Sequence, residues 1–289
     1  VAEYMVAALL YLADRDGVSL RDKTLGVIGV GNVGSRVAEK AAALGMSVLL
    51  NDPPRQDAEP DAASQFVSLD RLLADSDVVT LHVPLTRRGP HATFRMADGN
   101  FFQRMKDGAT FVNAARGAVV DTDALLCAMD EKFVGACVLD TWEHEPRFRI
   151  DAFRRVDIGT PHIAGHSYEG KVFGTEMVYQ AACRHFNVPP GWSAEPCLPA
   201  PPVPHIELTP RDAAPEPQLW EIVRKVYDIT ADHDRLRTCA ERPSESAACF
   251  DRLRSHYPMR REFRFTSVHF TSPSPALQEA LEALQFQVV

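Results

Sequence analysis

Three separated segments of the sequence carry polar side chains that together suit the oxidation of a hydroxyl group or the reduction of a carbonyl group. These side chains are Arg116, Glu145 and His162. Arginine can hold a substrate carboxylate through two parallel hydrogen bonds and polarise the neighbouring carbon. Histidine titrates near neutral pH and can move the hydroxyl proton, while a glutamate beside it orients the ring and stabilises its protonated form. A nicotinamide would exchange the hydride, so the protein needs only to position and polarise the substrate.

Each of these residues also has a purely structural interpretation. Arg116 can be a surface arginine at the start of a helix, and His162 can be a structural histidine. Glu145 precedes a proline and has Glu143 and His144 beside it, so it can equally be a solvated loop acid. These alternatives stay open at the level of the sequence.

A glycine-rich turn precedes the three segments and follows an apolar run. It reads Gly29-Val30-Gly31-Asn32-Val33-Gly34, a G-x-G-x-x-G between a predicted strand at 25–28 and a predicted helix at 32–44. The first glycine lets the strand turn, the second lets the backbone approach a pyrophosphate, and the third lets helix and strand pack closely. The pyrophosphate then lies on free N–H groups of the helix N-terminus. The turn therefore predicts a dinucleotide site, against the alternative of a glycine turn in an ordinary βα unit.

An acidic residue completes this pattern. Asp52 follows a second predicted strand, at 47–51, eighteen residues after Gly34. Its carboxylate can accept hydrogen bonds from ribose hydroxyls and would repel a 2′-phosphate, which favours NAD over NADP. Arg55 leaves a minority NADP interpretation open.

Strands and helices alternate through the first 163 residues. Further strands are predicted at 78–82, 109–113, 135–139 and 156–159, and helices at 1–16, 68–74, 99–105, 121–131 and 169–186; residues 53–61 are predicted to be a Pro-rich acidic loop. The alternation indicates an α/β fold with a doubly wound parallel sheet, as in a Rossmann-type domain. Such sheets bind ligands at the carboxyl ends of their strands, and all three chemical segments lie there.

The composition changes after the helix at 169–186. Ten of the 21 prolines lie between Pro189 and Pro217, which indicates a stiff connector. The pattern beyond it predicts a small α+β module at 205–289. Two helical stripes (Leu219, Ile222, Val223, Val226, Tyr227; then Leu277, Leu281, Leu284) and one strand with a register shift (Phe263, Phe265, Val268, Phe270) define this module.

Charge and cysteine usage exclude several classes of protein. The 289 residues carry a net charge of −8 with a pI near 5.7, which argues against nucleic acid and anionic membrane surfaces as partners. The six cysteines are scattered without a C-x-x-C, so a reduced cytoplasmic protein without a metal site is expected. No stretch is long enough to cross a membrane.

Four motifs in order, GVGNVG, NAARGAVVDTDAL, VLDTWEHEP and TPHIAG, resemble the D-isomer-specific 2-hydroxyacid dehydrogenases. Within that family the chain is most similar to the erythronate-4-phosphate dehydrogenase branch, through EYMVAALLYLADRDG, LLNDPPR, VDIGTPHIAGHSYEGK and the C-terminal FDRLRSHYPMRREF. The resemblance implies NAD-dependent oxidation of 4-phospho-D-erythronate to the 2-oxo acid, in pyridoxal 5′-phosphate biosynthesis. It also implies a homodimer formed through the C-terminal module.

Two alternatives remain beside that activity. One is a related D-2-hydroxyacid dehydrogenase that acts on phosphoglycerate or on glyoxylate and hydroxypyruvate. The other is a catalytically silent NAD-binding dimer module.

The resemblance also implies roles for individual residues. Arg116, Glu145 and His162 take the places of the family's catalytic arginine, glutamate and general acid/base. His166 stands at a substrate position where this branch usually has tyrosine, so the substrate contact itself differs here. The implied cofactor contacts are Gly29, Gly31, Asn32, Val33, Gly34, Asp52, Val83, Ala114, Ala115, Arg116, Asp140 and Gly165.

The domain order implied by the family starts with an interdomain helix at 1–16 and the NAD domain at 17–163. A helix returning to the substrate domain follows at 164–190, then a Pro-rich linker at 191–204 and the dimerisation domain at 205–289. The N-terminal part of the family's substrate domain has no counterpart in this sequence. We therefore expect unpartnered apolar faces on the helices at 1–16 and 169–186, and NAD binding with poor turnover.

Overall fold

The computed structural model describes residues 1–211 and 214–289. Its larger sheet has six parallel strands in the order β2-β1-β3-β4-β5-β6. The strands are β1 (Thr24–Ile28), β2 (Ser47–Asn51), β3 (Val78–Leu81), β4 (Ala109–Asn113), β5 (Val134–Leu139) and β6 (Ile158–Gly159). Because β2 and β3 lie on opposite sides of β1, the chain reverses direction there, and the carboxyl end of β1 opens into a crevice. The predicted doubly wound sheet is confirmed.

Helices cover this sheet and are α1 (Ala2–Asp16), α2 (Asn32–Ala43), α3 (Pro53–Ala58), α4 (Leu69–Asp75), α5 (Gly99–Gln103), α6 (Thr122–Asp130), α7 (Ile150–Phe153) and α8 (Tyr168–His185). The described residues after α8 form β7 (His205–Leu208), α9 (Pro215–Val226), α10 (Ile229–Ala240), α11 (Ser246–Ser255), β8 (Ser267–Phe270), α12 (Pro275–Ala283) and β9 (Gln287–Val288). Strands β7, β8 and β9 form a second, parallel sheet. Residues 205–289 are called the C-terminal module below.

Helix α1 lies inside the molecule, where its apolar residues meet the C-terminal module. Tyr4, Leu9 and Leu10 are buried, and the helix packs against α2, α9 and α10. The stripe on α9 that the sequence analysis identified supplies the cover. The expectation that α1 would have an unpartnered apolar face is therefore wrong.

Helix α8 differs from α1 in this respect. Its residues Met177 and Val178 are 70% and 71% exposed, so the expectation of an uncovered apolar face is confirmed there. Its first turn is anchored instead, because Glu169 and Arg261 of the C-terminal module form a buried ion pair. The end of the helix that follows the His162 segment is thus fixed, while its middle is exposed.

Hydrogen bonds also attach the C-terminal module to the larger sheet. Lys40 of α2 donates to the carbonyl of Leu284 at 2.8 Å. Glu216 at the start of α9 accepts from the hydroxyl of Ser19 at 2.7 Å and the amide of Leu20 at 3.0 Å. Apolar residues of the module share two core clusters with those of the larger sheet, so the module forms a wall of the same body.

Two predicted segments differ from the structure. Residues 53–61, predicted as loop, begin with α3, because Asp52 caps that helix and Pro53 suits its first position. The predicted strand through Phe263 and Phe265 starts only at Ser267. Before it, residues 263–265 form a 3₁₀ turn whose Phe263 ring stacks on Phe286 at 4.7 Å.

The cysteine prediction is wrong for one pair. Helices α10 and α11, which the sequence analysis did not identify, pack together and bring Cys239 and Cys249 to a Cα separation of 5.5 Å, where they form a disulfide. This separation is typical of disulfides. The other four cysteines are free thiols.

Across the described part of the chain, every helix is too short or too polar to span a bilayer.

Candidate active site

The catalytic candidates lie after the carboxyl ends of β4, β5 and β6. His162 Nδ1 donates to Glu145 Oε1 at 2.5 Å, and the other oxygen of Glu145 accepts from the amide of Trp142 at 3.0 Å. Both side chains are about one quarter exposed, at 26% and 23%. Because Nδ1 is held by the carboxylate, Nε2 is the ring nitrogen left to exchange a proton with a substrate. The structure therefore brings together the predicted acid/base and its orienting glutamate.

Asp140 supports the loop that carries His162. Its Oδ1 accepts from the hydroxyl of Thr160 at 2.6 Å and the amide of Ile163 at 2.7 Å, and its Oδ2 accepts from the amide of Ala164 at 3.0 Å. Tyr4 of α1 extends this network, since its hydroxyl donates to Thr160 at 2.8 Å. Burial raises the pKa of the Asp140 carboxyl, and these hydrogen bonds oppose that rise. Asp140 was predicted as a nicotinamide contact, and here it also fixes the backbone beside His162.

The Arg116 loop follows β4 and is held by a buried side chain. Asn113 Oδ1 accepts from the amide of Ala115 at 3.0 Å, and its Nδ2 donates to the carbonyl of Arg116 at 3.1 Å. A Cβ on Gly117 would lie 1.9 Å from the carbonyl oxygen of Trp142. The loop is thus pressed against the segment that carries Glu145. The Arg116 side chain is exposed, with its guanidinium on the carbonyl of Ala115.

The three glycines of the turn each lie where a side chain would obstruct either the packing of the turn or the approach of a dinucleotide. Gly29 has a φ of +88°, and a Cβ there would lie 2.8 Å from the His82 carbonyl and from Val83. A Cβ on Gly34 would lie 2.0 Å from the Gly29 carbonyl oxygen, so this glycine permits the close packing of α2 on β1. Gly31 faces open space, with no atom within 4 Å of such a Cβ, and no side chain caps α2. The N–H groups starting at Asn32 and Val33 are thus free for a pyrophosphate.

Asp52 is oriented by the backbone around it. Its carboxylate accepts from the amides of Val30 at 2.7 Å and Arg55 at 3.1 Å. Arg55 in turn pairs with Glu59 at 2.8 Å and donates to the carbonyl of Val30. Because Arg55 is already engaged by a carboxylate, the arrangement favours a ribose hydroxyl over a 2′-phosphate.

A cavity of about 350 Å³ lies beside Asp52 and has the largely apolar lining expected of an adenosine site. Val83, a predicted cofactor residue, lines it together with Gly29. Its far wall is the segment from Thr86 to Met96, which the sequence analysis did not assign to the site. The only local signal of this wall is the Gly89-Pro90 turn.

His166 and Gly165 lie where the His162 segment meets the C-terminal module. Gly165 is exposed and Ala114 is half-buried. The His166 ring is half-buried and meets the ring of Tyr257 edge-on at 5.7 Å. Burial, followed by the charges of Lys171, Arg254 and Arg260, lowers the pKa of His166 to about 4. The sequence analysis did not place the C-terminal residues at this site, although it quoted the segment that contains them.

His82 packs beneath the first glycine of the turn, where a Cβ on Gly29 would meet its carbonyl group. Its Nε2 bonds the hydroxyl of Thr80 at 3.0 Å, and its Nδ1 is buried. Burial lowers its pKa to about 3, so the ring is neutral under the first glycine. In residues 1–211 and 214–289, no group of three or more His, Cys, Asp or Glu side chains is arranged to hold a metal ion.

Comparisons with known proteins agree with this geometry. The NAD binding domain of D-isomer specific 2-hydroxyacid dehydrogenases matches residues 10–164, and a domain of unknown function matches residues 197–284. Erythronate-4-phosphate dehydrogenase of Serratia proteamaculans is 43% identical over 287 residues, which are 99% of this chain and 74% of that protein. The Marinobacter nauticus protein of the same name is 42% identical over 291 residues, 100% of this chain and 75% of that protein.

Solved structures agree at the level of the fold. D-lactate dehydrogenase of Treponema pallidum matches with a TM-score of 0.53 and 27% identity over 66% of each chain. NAD-dependent formate dehydrogenase of Staphylococcus aureus, solved with NAD, matches with a TM-score of 0.51 and 27% identity. The match covers 66% of this chain and 64% of that one. The prediction of NAD as cofactor is confirmed, whereas the roles of single residues and the domain boundaries stay predictions.

Proposed function

Because the chain belongs to the D-isomer-specific 2-hydroxyacid dehydrogenase family, we propose that it oxidises 4-phospho-D-erythronate to 3-hydroxy-2-oxo-4-phosphobutanoate, in pyridoxal 5′-phosphate biosynthesis. The names of the relatives support this substrate, since the identity extends through the C-terminal module. The hydrogen bond from His162 to Glu145, on a loop fixed by Asp140, is the observation that carries the chemistry.

The residues divide the reaction between them. Arg116 holds the substrate carboxylate and polarises C2. The Nε2 atom of His162 accepts the proton of the C2 hydroxyl while Glu145 stabilises the imidazolium that forms. A bound NAD would supply the acceptor for the hydride of C2. The turn from Gly29 to Gly34 holds its phosphates.

The proton step is tested by Glu145→Gln. Loss of the carboxylate removes the charge that stabilises the imidazolium, so kcat is expected to fall by roughly ten- to a thousandfold, within the usual contribution of acid–base catalysis. NAD affinity, measured by NADH fluorescence, should stay unchanged.

Glu143→Gln is the matched control, since the Glu143 carboxylate pairs with Arg95 at 2.7 Å and does not bond His162. A Glu145→Gln enzyme with the parent's kcat would remove the pair from the mechanism. A panel with 3-phosphoglycerate, glyoxylate and hydroxypyruvate tests the substrate, and faster turnover of any of these would overturn the erythronate assignment.

We also infer a homodimer formed through residues 205–289, on the resemblance of that module to the family's dimerisation domain. Sedimentation equilibrium of the intact chain tests this inference, and a monomer at micromolar concentration would contradict it. The cytoplasmic location of the enzyme stays a prediction.

A further inference from the structure

Four basic side chains come together where the segment after His162 meets the C-terminal module. They are His166, Lys171 in the first turns of α8, Arg254 in the last turn of α11, and Arg260. Arg260 donates to the carbonyl of Ala164 at 2.7 Å and its guanidinium lies over Tyr227, 4.4 Å from the ring centre. The backbone of this region is joined as well, since the Tyr168 amide donates to the Arg260 carbonyl at 2.8 Å. The cluster is thus built by two parts of the chain that are about ninety residues apart in sequence.

Four buried nitrogen atoms of this cluster lack protein partners. Nε of Arg254, Nε and Nη1 of Arg260, and Nδ1 of His166 are buried without a hydrogen bond. Arg260 itself is only 7% exposed. Within the described residues, none of the four side chains forms an ion pair with a carboxylate. Buried donors left without partners are uncommon in folded proteins, and a bound ligand is one reason for keeping them.

The low pKa of His166 agrees with the positive surroundings, because Lys171, Arg254 and Arg260 each lower it. Two carboxylates, Asp232 and Glu3, act on Arg260. The oxygens of Asp232 accept from Tyr257 and Arg235, both at 2.6 Å, and Glu3 accepts from the amide of Phe263 at 3.0 Å. The charges that act on the His166 ring are thus all positive, although the whole chain is acidic.

We propose that this cluster binds the phosphate group of the substrate, with Arg254 and Lys171 as its direct ligands and the C-terminal module as one wall of the substrate site. The proposal rests on the proposed function. In this proposal Arg116 takes the carboxylate of the hydroxy acid, His162 takes its hydroxyl, and the cluster at His166 takes the phosphate at the remote end. A doubly charged phosphate also matches an arginine and a lysine in charge-assisted hydrogen bonds.

The test compares a phosphorylated acid with its unphosphorylated counterpart. Binding of 4-phospho-D-erythronate and of D-erythronate to the NADH-loaded chain is measured by calorimetry for the parent, Arg254→Gln and Lys171→Gln. Arg252→Gln is the matched control, because Arg252 is an exposed arginine on the same helix. NADH fluorescence reports whether each variant keeps its fold, and Lys171 is exposed, so its replacement should not disturb packing.

Arg254→Gln is expected to raise the dissociation constant of the phosphorylated acid by roughly ten- to a hundredfold. This is the usual effect of losing a hydrogen bond to a charged group. Lys171→Gln should raise this dissociation constant less, and Arg252→Gln should change it by no more than about twofold. Binding of D-erythronate and of NADH should not change in any variant.

The phosphate site would be overturned if the parent bound the two acids with equal affinity. It would also be overturned if Arg254→Gln lowered the affinity for both acids equally. The proposed function can fail separately. If the parent prefers 3-phosphoglycerate and Arg254→Gln weakens that ligand alone, the phosphate site stands and the erythronate assignment falls.

Discussion

Replacing Gly31 by alanine is expected to separate NAD binding from folding, because the space beside this glycine is open. No atom lies within 4 Å of the Cβ that alanine would add, and the φ of −78° suits alanine. The fold should therefore lose no more than about 1 kcal/mol, the ordinary cost of alanine at a helix N-cap. A bound pyrophosphate would have to withdraw from the added methyl group and would lose hydrogen bonds to the N–H groups of α2.

The magnitude follows from those hydrogen bonds. A hydrogen bond to a charged group contributes roughly 1.5–3 kcal/mol, so losing one should raise the dissociation constant of NADH by about ten- to a hundredfold. Gly34→Ala is the matched comparison, because its Cβ would lie 2.0 Å from the Gly29 carbonyl oxygen. That backbone clash should cost 1–3 kcal/mol or more of folding free energy, at the level of an overpacked core.

Urea denaturation and NADH fluorescence titration, run on both variants, measure the two effects. Gly31→Ala should unfold near the parent's midpoint and bind NADH weakly, while Gly34→Ala should unfold earlier. NADH affinity equal to the parent's in Gly31→Ala would refute the assignment of this turn to the pyrophosphate. A large loss of stability in Gly31→Ala would show that the open space is not available in solution.

Further predictions concern Tyr4, which supports the His162 loop, and His82, which lies under the glycine turn. Tyr4→Phe removes the hydrogen bond to Thr160 and should lower the free energy of unfolding by about 1 kcal/mol. Tyr11→Phe is the control. An equal loss of stability in the two variants would contradict this role for Tyr4. His82 is neutral in the fold, with a pKa lowered to about 3, so only the unfolded chain takes up a proton between pH 6.5 and pH 3. Stability should therefore fall as the pH falls through this range, by about 2 kcal/mol at pH 5 relative to pH 7.5. His82→Gln should flatten that dependence in urea denaturation, and an unchanged slope would contradict it.

What the sequence could predict was encoded locally. The strand, the turn from Gly29 to Gly34, helix α2 and Asp52 lie within about thirty residues, so spacing alone placed them. His162 and Glu145 were named by their chemistry and by family resemblance, and the structure joins them because both follow neighbouring strands. The parallel sheet follows from alternating apolar and amphipathic segments, and each of its strands was predicted within a few residues.

What the sequence could not predict depends on contacts between distant segments. Helices α10 and α11 are rich in charged residues, and few apolar positions (Leu236 and Phe250 among them) mark their buried sides. The cover that α9 gives to α1 joins residues more than two hundred positions apart. The contact of Arg260 with Ala164 has no local pattern at all. These contacts are set by tertiary packing, which outweighs local propensity.

Helix α1 connects the catalytic loop to the C-terminal module. The Tyr4 hydroxyl leads through Thr160 to Asp140, which holds the amides after His162. The ring of the same tyrosine packs against Tyr227 of the module at 6.3 Å. Because one side chain serves both contacts, a displacement of the module moves the support of the loop as well as Arg254. In the mechanism proposed above, the module acts on the chemistry in two ways, by holding the His162 loop in place and by contributing charge to the substrate site.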